Sequence, residues 1–210
     1  MKKTLIVLTG WARDKHSYQK LIQSARKGWK VLIPTYRELG LQKGVLEFEK
    51  NLLSFVKSQK SPVSLLGHSL GGALAIGFAS KHQKHIKELF LVDSKGVTEG
   101  NLLKGVGDLL GENRKRTILE HMQHLKRILK RPIFHVKSGI MAHYADLEKE
   151  AMSIKAKTTL FWGEKDLLTP LSHGKKIKEY IQNSRLVVFE NFSHDWILNF
   201  PERFWKEIES

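Results

Sequence analysis

Short apolar runs and longer amphipathic stretches alternate along the chain. The first apolar run, TLIVLT at residues 4–9, is rich in branched side chains, which is typical of a strand buried on both faces of a sheet. Five further runs have the same character, and they lie at residues 29–35, 62–69, 86–94, 157–166 and 184–192. The pattern predicts six buried strands that share one central sheet.

Helical patterns fill the intervals between these strands. They lie at residues 16–27, 44–58, 70–84, 170–182 and 196–208. Alternating strands and helices predict an α/β fold with a mostly parallel six-stranded sheet and helices on both of its faces. A chain of 210 residues suits one well-cored domain, so we expect residues 1–210 to form a single domain.

The interval from 97 to 153 interrupts the alternation, with no convincing strand and several helical turns. Apolar residues recur there at helical spacing among many basic side chains, at Ile118, Met122, Leu125 and Leu129. Pro132 is expected to end that helix. We predict that this insertion is a small helical lid over the carboxyl ends of the strands, where open parallel sheets bind ligands. The alternative is an additional helical pair that packs on the core.

Composition narrows the classes of partner. The net charge of +15 is spread along the chain without a nucleic-acid-binding motif, so we interpret it as a solvated surface and expect no nucleic-acid partner. No apolar run is long enough to span a bilayer, and we expect no stable membrane insertion. The chain has no cysteine, which excludes disulfides and thiol ligands, and we expect a cytoplasmic protein.

The stretch SLLGHSLGGALAIGFAS, residues 64–80, places one serine between an apolar strand and a helix made of small residues. A sharp turn of this kind projects the Ser69 side chain clear of the backbone, and it aims the next N–H at the reaction centre. Small neighbours are required, and Gly67, Gly71 and Gly72 provide them. A G-x-S-x-G pattern between a strand and a helix predicts a nucleophilic serine.

With this motif the chain resembles the α/β-hydrolase superfamily over nearly its whole length. The resemblance implies that Ser69 is the nucleophile and that the Leu70 N–H is one oxyanion donor. The segment LTGWARDKHSY matches the position of the family's second donor and implies the Trp11 N–H, with Thr9 where a histidine is usual. The segment PTYRELGLQKG lacks the Asp and the Gly-His-Gly turn common after the family's second core strand.

The resemblance also implies an acid and a base in the order Ser, Asp, His. The segment LFWGEKDLLTP identifies Asp166 as the acid, with Thr169 expected to cap the next helix and Pro170 to be its first residue. Asp93, at the end of LFLVDS, is the rival because some hydrolases place their acid there; otherwise it should line the site or stabilise the loop. His194 follows the last strand and is the expected base.

These residues imply a serine hydrolase that cleaves a small carboxylic ester through an acyl-enzyme, and carboxylesterase is the safest label. The mechanism requires no cofactor and no metal. One alternative is a non-catalytic member of the fold that binds a ligand or a partner. Another is a basic lid that docks on anionic membranes, which would require a contiguous apolar patch on its helix. The oligomeric state is not predicted.

Overall fold

The computed structural model describes residues 2–59, 62–97, 122, 125–126, 128–130, 132–143 and 146–209. All six predicted strands are present, each within or close to its apolar run. They are β1 (Lys3–Leu8), β2 (Trp29–Leu32), β3 (Val63–His68), β4 (Ile86–Val92), β5 (Lys157–Gly163) and β6 (Ser184–Phe189).

The strands form one six-stranded sheet in the order β2-β1-β3-β4-β5-β6, and every pairing in it is parallel. This confirms the predicted fold class. β1 and β3 are neighbours at the centre, with Leu8 opposite Gly67 in the register. Because all strands run the same way, the loops that follow them meet along one edge of the sheet, which is where ligands bind in such folds.

Helices cover both faces of the sheet. The described helices are α1 (Gln19–Gln23), α2 (Val45–Ser58), α3 (Leu70–His82), α4 (Pro132–His143), α5 (Glu148–Ser153), α6 (Leu171–Tyr180), α7 (Trp196–Asn199) and α8 (Glu202–Glu207). One buried cluster joins the sheet to α2, α3, α5 and α6, and a second joins the opposite face to α1, α7 and α8. Both faces of the sheet are therefore buried, which explains its unbroken apolar strands.

Two predicted helices differ in the structure. The pattern at 196–208 forms two short helices, α7 and α8, with Phe200 and Pro201 between them. A proline lacks the N–H that an interior helical position donates, so the helix stops before Pro201 and restarts after it. The pattern at 16–27 forms a 3₁₀ turn at Lys15–Tyr18 followed by the short α1.

Most of the described residues in the interval from 97 to 153 are helical, and none of them lies in a strand. Pro132 is the first residue of α4, a position that tolerates its missing N–H. Along the predicted basic helix, Met122, Leu125 and Leu129 are exposed, whereas Ile118 lies outside the described residues. The Trp11 indole donates to the carbonyl of His135 at 2.8 Å, which places α4 against the loop after β1. In the described parts of the chain we find no helix with the length and apolarity needed to cross a bilayer.

Candidate active site

Ser69 occupies the turn between β3 and α3. β3 ends at His68 and α3 begins at Leu70, so a single residue joins strand to helix. The backbone of Ser69 has φ 53° and ψ −118°, a left-handed conformation that residues with side chains rarely adopt. Such strain persists only where the surrounding packing imposes it, and it is concentrated at functional positions.

Two of the predicted glycines explain how this turn is packed. A Cβ on Gly67 would overlap the backbone of Gly71, and a Cβ on Gly71 would overlap the carbonyl of Leu8. Any other residue at either position would force α3 away from β1 and β3. The glycines therefore let the helix start directly behind Ser69, with its positive end towards the serine.

Asp166 and His194 lie together in the loops after β5 and β6. Oδ2 of Asp166 is 2.7 Å from Nδ1 of His194, and both side chains are buried. Oδ1 of Asp166 accepts from the backbone N–H groups of Leu168 and Thr169 at 2.8 and 2.9 Å. Burial would raise the pKa of Asp166, but the His194 ring and these hydrogen bonds outweigh it and hold the pKa below its ordinary value.

Thr169 has a different role from the one predicted. Its hydroxyl lies 2.5 Å from Oδ2 of Asp166, 3.2 Å from Nδ1 of His194 and 3.0 Å from the carbonyl of Asp93. The prediction that it caps the next helix was wrong, because α6 begins at Leu171 with Pro170 before it and without a side-chain cap. The sequence signal for a cap was a threonine before a proline, but the buried carboxylate competes for the same hydroxyl.

Asp93 lies at the end of β4, close to Asp166 but not bonded to His194. Its Oδ1 accepts from the Gly163 N–H at 2.8 Å, and its Oδ2 is buried without a hydrogen bond among the described residues. Burial and then the Asp166 carboxylate raise the pKa of Asp93 well above its ordinary value, although the Trp196 indole acts in the opposite direction. The pKa values of the two neighbouring carboxyl groups are therefore shifted in opposite directions, down for Asp166 and up for Asp93.

A second buried histidine, His68, was not among the predicted site residues. Its Nε2 lies 3.2 Å from the carbonyl of His194, and its Nδ1 lies 2.7 Å from the Tyr18 hydroxyl. A carbonyl only accepts, so Nε2 carries the proton and Nδ1 accepts from Tyr18. The Tyr18 oxygen in turn accepts from the Gly10 N–H at 2.9 Å. This chain of hydrogen bonds joins the loops after β1, β3 and β6.

His68 is a neighbour of both Ser69 and His194. It directly precedes Ser69, and its ring centroid is 5.1 Å from that of His194. Burial and then the neighbouring His194 ring lower the pKa of His68 to about 3. His68 is therefore neutral under ordinary conditions. The available sequence signal was a histidine within an otherwise apolar strand.

The two residues predicted as oxyanion donors are Trp11, in the loop after β1, and Leu70, at the start of α3. Leu70 is the first residue of α3, so its N–H is one of the four that have no partner within the helix. Trp11 follows Gly10, whose own N–H is committed to Tyr18. The same loop is fixed to the His194 loop by an ion pair between Arg13 and Asp195 at 2.5 Å. Asp195 thus pairs with Arg13 and not with the imidazole beside it.

The described residues contain no group of three or more histidine, aspartate or glutamate side chains placed to hold a metal ion. The chemistry that they do bring together consists of a serine on a strained turn, an imidazole bonded to a buried carboxylate, and a helix N-terminus.

Comparison with known proteins places this arrangement. No family model matches the chain. A pimeloyl-[acyl-carrier protein] methyl ester esterase of Neisseria meningitidis serogroup C is 23% identical, over 96% of this chain and 90% of its own length. Lipase 1 of Psychrobacter immobilis is 22% identical, over 90% of this chain and 70% of its own length.

A solved α/β hydrolase from the metagenome of Mar Chica lagoon sediments superposes with a TM-score of 0.71 at 24% identity. The superposition covers all of this chain and 90% of that one. The chain has the α/β-hydrolase fold. The resemblance drawn from the GHSLGG turn is thereby confirmed, and in this fold the loops after β1, β3, β5 and β6 surround the site described above.

Proposed function

We propose that this α/β hydrolase is a serine esterase that cleaves a small carboxylic ester through Ser69, His194 and Asp166. The observation that carries the proposal is the buried hydrogen bond of 2.7 Å between Asp166 and His194, at the edge of the sheet where Ser69 occupies its strained turn. The named activities of the curated relatives support ester hydrolysis, since the relatives described above are an esterase and a lipase.

The contacts support a separate role for each side chain. Because Nδ1 of His194 faces Asp166, Nε2 is the nitrogen left to accept the proton of Ser69. The freed Ser69 oxygen attacks the ester carbonyl, and the protonated His194 then passes that proton to the departing alcohol. Asp166 holds the ring in this tautomer and stabilises its positive charge.

The negative charge on the attacked carbonyl oxygen needs donors that are in place beforehand. We assign this task to the backbone N–H groups of Trp11 and Leu70. His194 then takes a proton from a water molecule as that water attacks the acyl-enzyme. The proton passes to Ser69 as the acid is released. None of these reaction steps requires a cofactor.

The test compares the purified protein with Ser69→Ala in the hydrolysis of p-nitrophenyl acetate and butyrate. We expect turnover by the wild type, its loss in Ser69→Ala, and one fluorophosphonate adduct that maps to Ser69. Ser58→Ala, which removes an exposed hydroxyl at the end of α2, is the matched control and should retain full activity.

Well-folded wild-type protein that shows neither turnover nor an adduct would overturn the proposal. The chain would then be a non-catalytic member of the fold that binds a ligand. Adduct formation on another serine would instead reject the assignment of Ser69.

A further inference from the structure

We propose that the substrate is an ester whose far end carries an anionic group, separated from the ester bond by an apolar chain. This inference rests on the proposed function and specifies the substrate class of the same site. It is carried by a cavity of about 310 Å³ that begins beside the nucleophile turn and opens between basic residues.

The inner wall of the cavity is apolar and adjoins the serine. It includes Leu70, the residue directly after Ser69, and Thr9 from the loop after β1. Ala12 and Ile33, both buried, continue this wall, and Phe134 of α4 covers it. A volume near 300 Å³ is at the lower end of small-molecule sites, so the cavity suits a short chain and not a large ring system.

Two polar side chains of the cavity lining, the half-buried Tyr36 and the exposed Asp14, already have hydrogen-bond partners. The Tyr36 hydroxyl donates to the carbonyl of Thr9, and burial raises the pKa of Tyr36 far above neutrality. Asp14, the cavity's acidic residue, accepts from the Ser17 N–H and hydroxyl at 3.1 and 3.0 Å. The inner part of the cavity therefore offers a ligand mainly apolar contact.

The mouth of the cavity is different because it is basic. Arg13 is engaged with Asp195, and Lys15 lies near Glu38, whose pKa is lowered first by the hydrogen bonds from Thr35 and last by the Lys15 charge. Arg37, in the loop after β2, and Lys130, just before α4, are exposed and line the same cavity. Neither forms an ion pair within the described part of the chain. These two cations are placed to receive an anion that arrives with an apolar tail.

The two parts fit one kind of molecule. The ester bond would lie at Ser69, the apolar chain along the inner wall, and a terminal anion at Arg37 and Lys130. Because both cations are exposed to solvent, their effect is screened, so we expect a preference of about three- to tenfold that weakens with salt. A neutral ester of equal length would use the same wall without this gain.

The experiment compares methyl hydrogen adipate, which ends in a carboxylate, with methyl hexanoate, which is neutral and has the same acyl length. Acid release in a pH-stat gives kcat/KM for each ester. A third substrate, methyl 5-phosphonopentanoate, distinguishes a carboxylate-binding mouth from a phosphonate- or phosphate-binding one. We expect at least one anionic ester to be preferred, and the better of the two identifies the terminal group.

The variant for this test is the double substitution Arg37→Gln with Lys130→Gln. It should lower the ratio of kcat/KM for the anionic over the neutral ester to about one. Lys178→Gln, which removes an exposed cation on α6 remote from the cavity, is the control and should leave that ratio unchanged.

The outcomes separate the two proposals. Hydrolysis of methyl hexanoate with no preference for either anionic ester would overturn this inference and leave the esterase intact. A preference that survives in the double variant would also overturn it, because the anion would then bind elsewhere. Failure to hydrolyse any of the three esters, together with no fluorophosphonate adduct, would reject the esterase and with it the substrate class.

Discussion

Two buried histidines stand side by side at the carboxyl edge of the sheet, and their surroundings give them opposite properties. His194 faces the ionised Asp166, whereas His68 faces a tyrosine hydroxyl and a backbone carbonyl. A carboxylate stabilises a protonated imidazole, which is what a base needs after it has taken a proton. Neutral partners give no such help, so burial and then the neighbouring His194 ring lower the pKa of His68 to about 3.

The comparison teaches that residue type and burial alone do not distinguish the proposed base from the other histidine. Both rings are nearly inaccessible, and their centroids are only 5.1 Å apart. The difference comes from the partner of Nδ1, which is a carboxylate for His194 and a hydroxyl donor for His68. In the proposed mechanism the His194 ring accepts a proton, whereas the His68 ring joins three loops through its hydrogen bonds.

The largest expected effect comes from removing the charge beside His194. Asp166→Asn keeps the shape but replaces the carboxylate, so the imidazole loses its favoured tautomer and its counter-charge. We expect kcat for a p-nitrophenyl ester to fall about 10³- to 10⁴-fold, with the fold retained by circular dichroism.

Asp146→Asn, an exposed position before α5, is the matched control and should be indistinguishable from the wild type. The contradicting result would be a small effect of Asp166→Asn together with a large effect of Asp93→Asn. That outcome would transfer the role of the acid to the rival carboxyl at the end of β4.

A smaller effect should follow from changes to His68, where the two possible amides separate its two hydrogen bonds. His68→Gln can still donate from the position of Nε2 to the His194 carbonyl, whereas His68→Asn can still accept from Tyr18 near the position of Nδ1. We expect kcat to fall about tenfold in the asparagine variant and less in the glutamine variant, since only the former loses the contact with the His194 loop.

The pH dependence of kcat sharpens this prediction. Because His68 has already lost its charge above about pH 3, its replacement should leave the shape of the profile between pH 5 and 9 unchanged. His16→Gln, at an exposed histidine in the loop after β1, serves as the control. A shifted acid limb in the His68 variants would mean that His68 titrates during turnover.

The fold and the three candidate catalytic residues could be predicted from the sequence for a clear physical reason. Buried parallel strands must be continuous apolar runs, and a serine on a tight turn needs glycines at fixed spacing. These are local constraints, so they are visible in the order of residues from 64 to 80. The places of Asp166 and His194 followed from the family's chain order.

Contacts between distant loops could not be predicted from the sequence. His68 reaches the carbonyl of a residue 126 positions away, and Arg13 reaches Asp195 across 182 positions. The apolar strand around His68 was a local signal for its burial, but nothing local identified its partner, and the local pattern of Arg13 does not distinguish it from a surface residue. Thr169 was misassigned for a different, local reason: its hydroxyl bonds the buried Asp166 carboxylate three positions earlier instead of the N-terminus of the next helix.

Tyr18→Phe removes the hydroxyl partner of His68, and we expect it to lower the stability of the protein more than its activity. The variant removes the donor to Nδ1 of His68 and the acceptor of the Gly10 N–H, leaving two buried groups unpaired. We expect the free energy of unfolding to fall by about 1–3 kcal/mol in urea titrations. Tyr180→Phe, at a partly exposed hydroxyl on α6, should cost less, and an equal cost in both variants would show that this chain of hydrogen bonds adds no stability.

The smallest effect on catalysis should come from Asp93→Asn, because the raised pKa of Asp93 favours its neutral form, which asparagine resembles. Asparagine keeps an oxygen for the Gly163 N–H, so we expect kcat within about threefold of the wild type. The informative quantity is the stability of the variant relative to the wild type as the pH changes.

In the unfolded chain Asp93 ionises near pH 4, whereas in the folded protein its raised pKa keeps it protonated to higher pH. The unfolded state therefore binds fewer protons between these two pKa values, so this group makes the wild type less stable as the pH rises. Asparagine does not titrate, and the melting temperature of Asp93→Asn minus that of the wild type should become more positive from about pH 4 upwards. A difference that stays constant or falls with rising pH would mean that Asp93 is ionised in the folded state, and that His194 then faces two charged carboxylates instead of one.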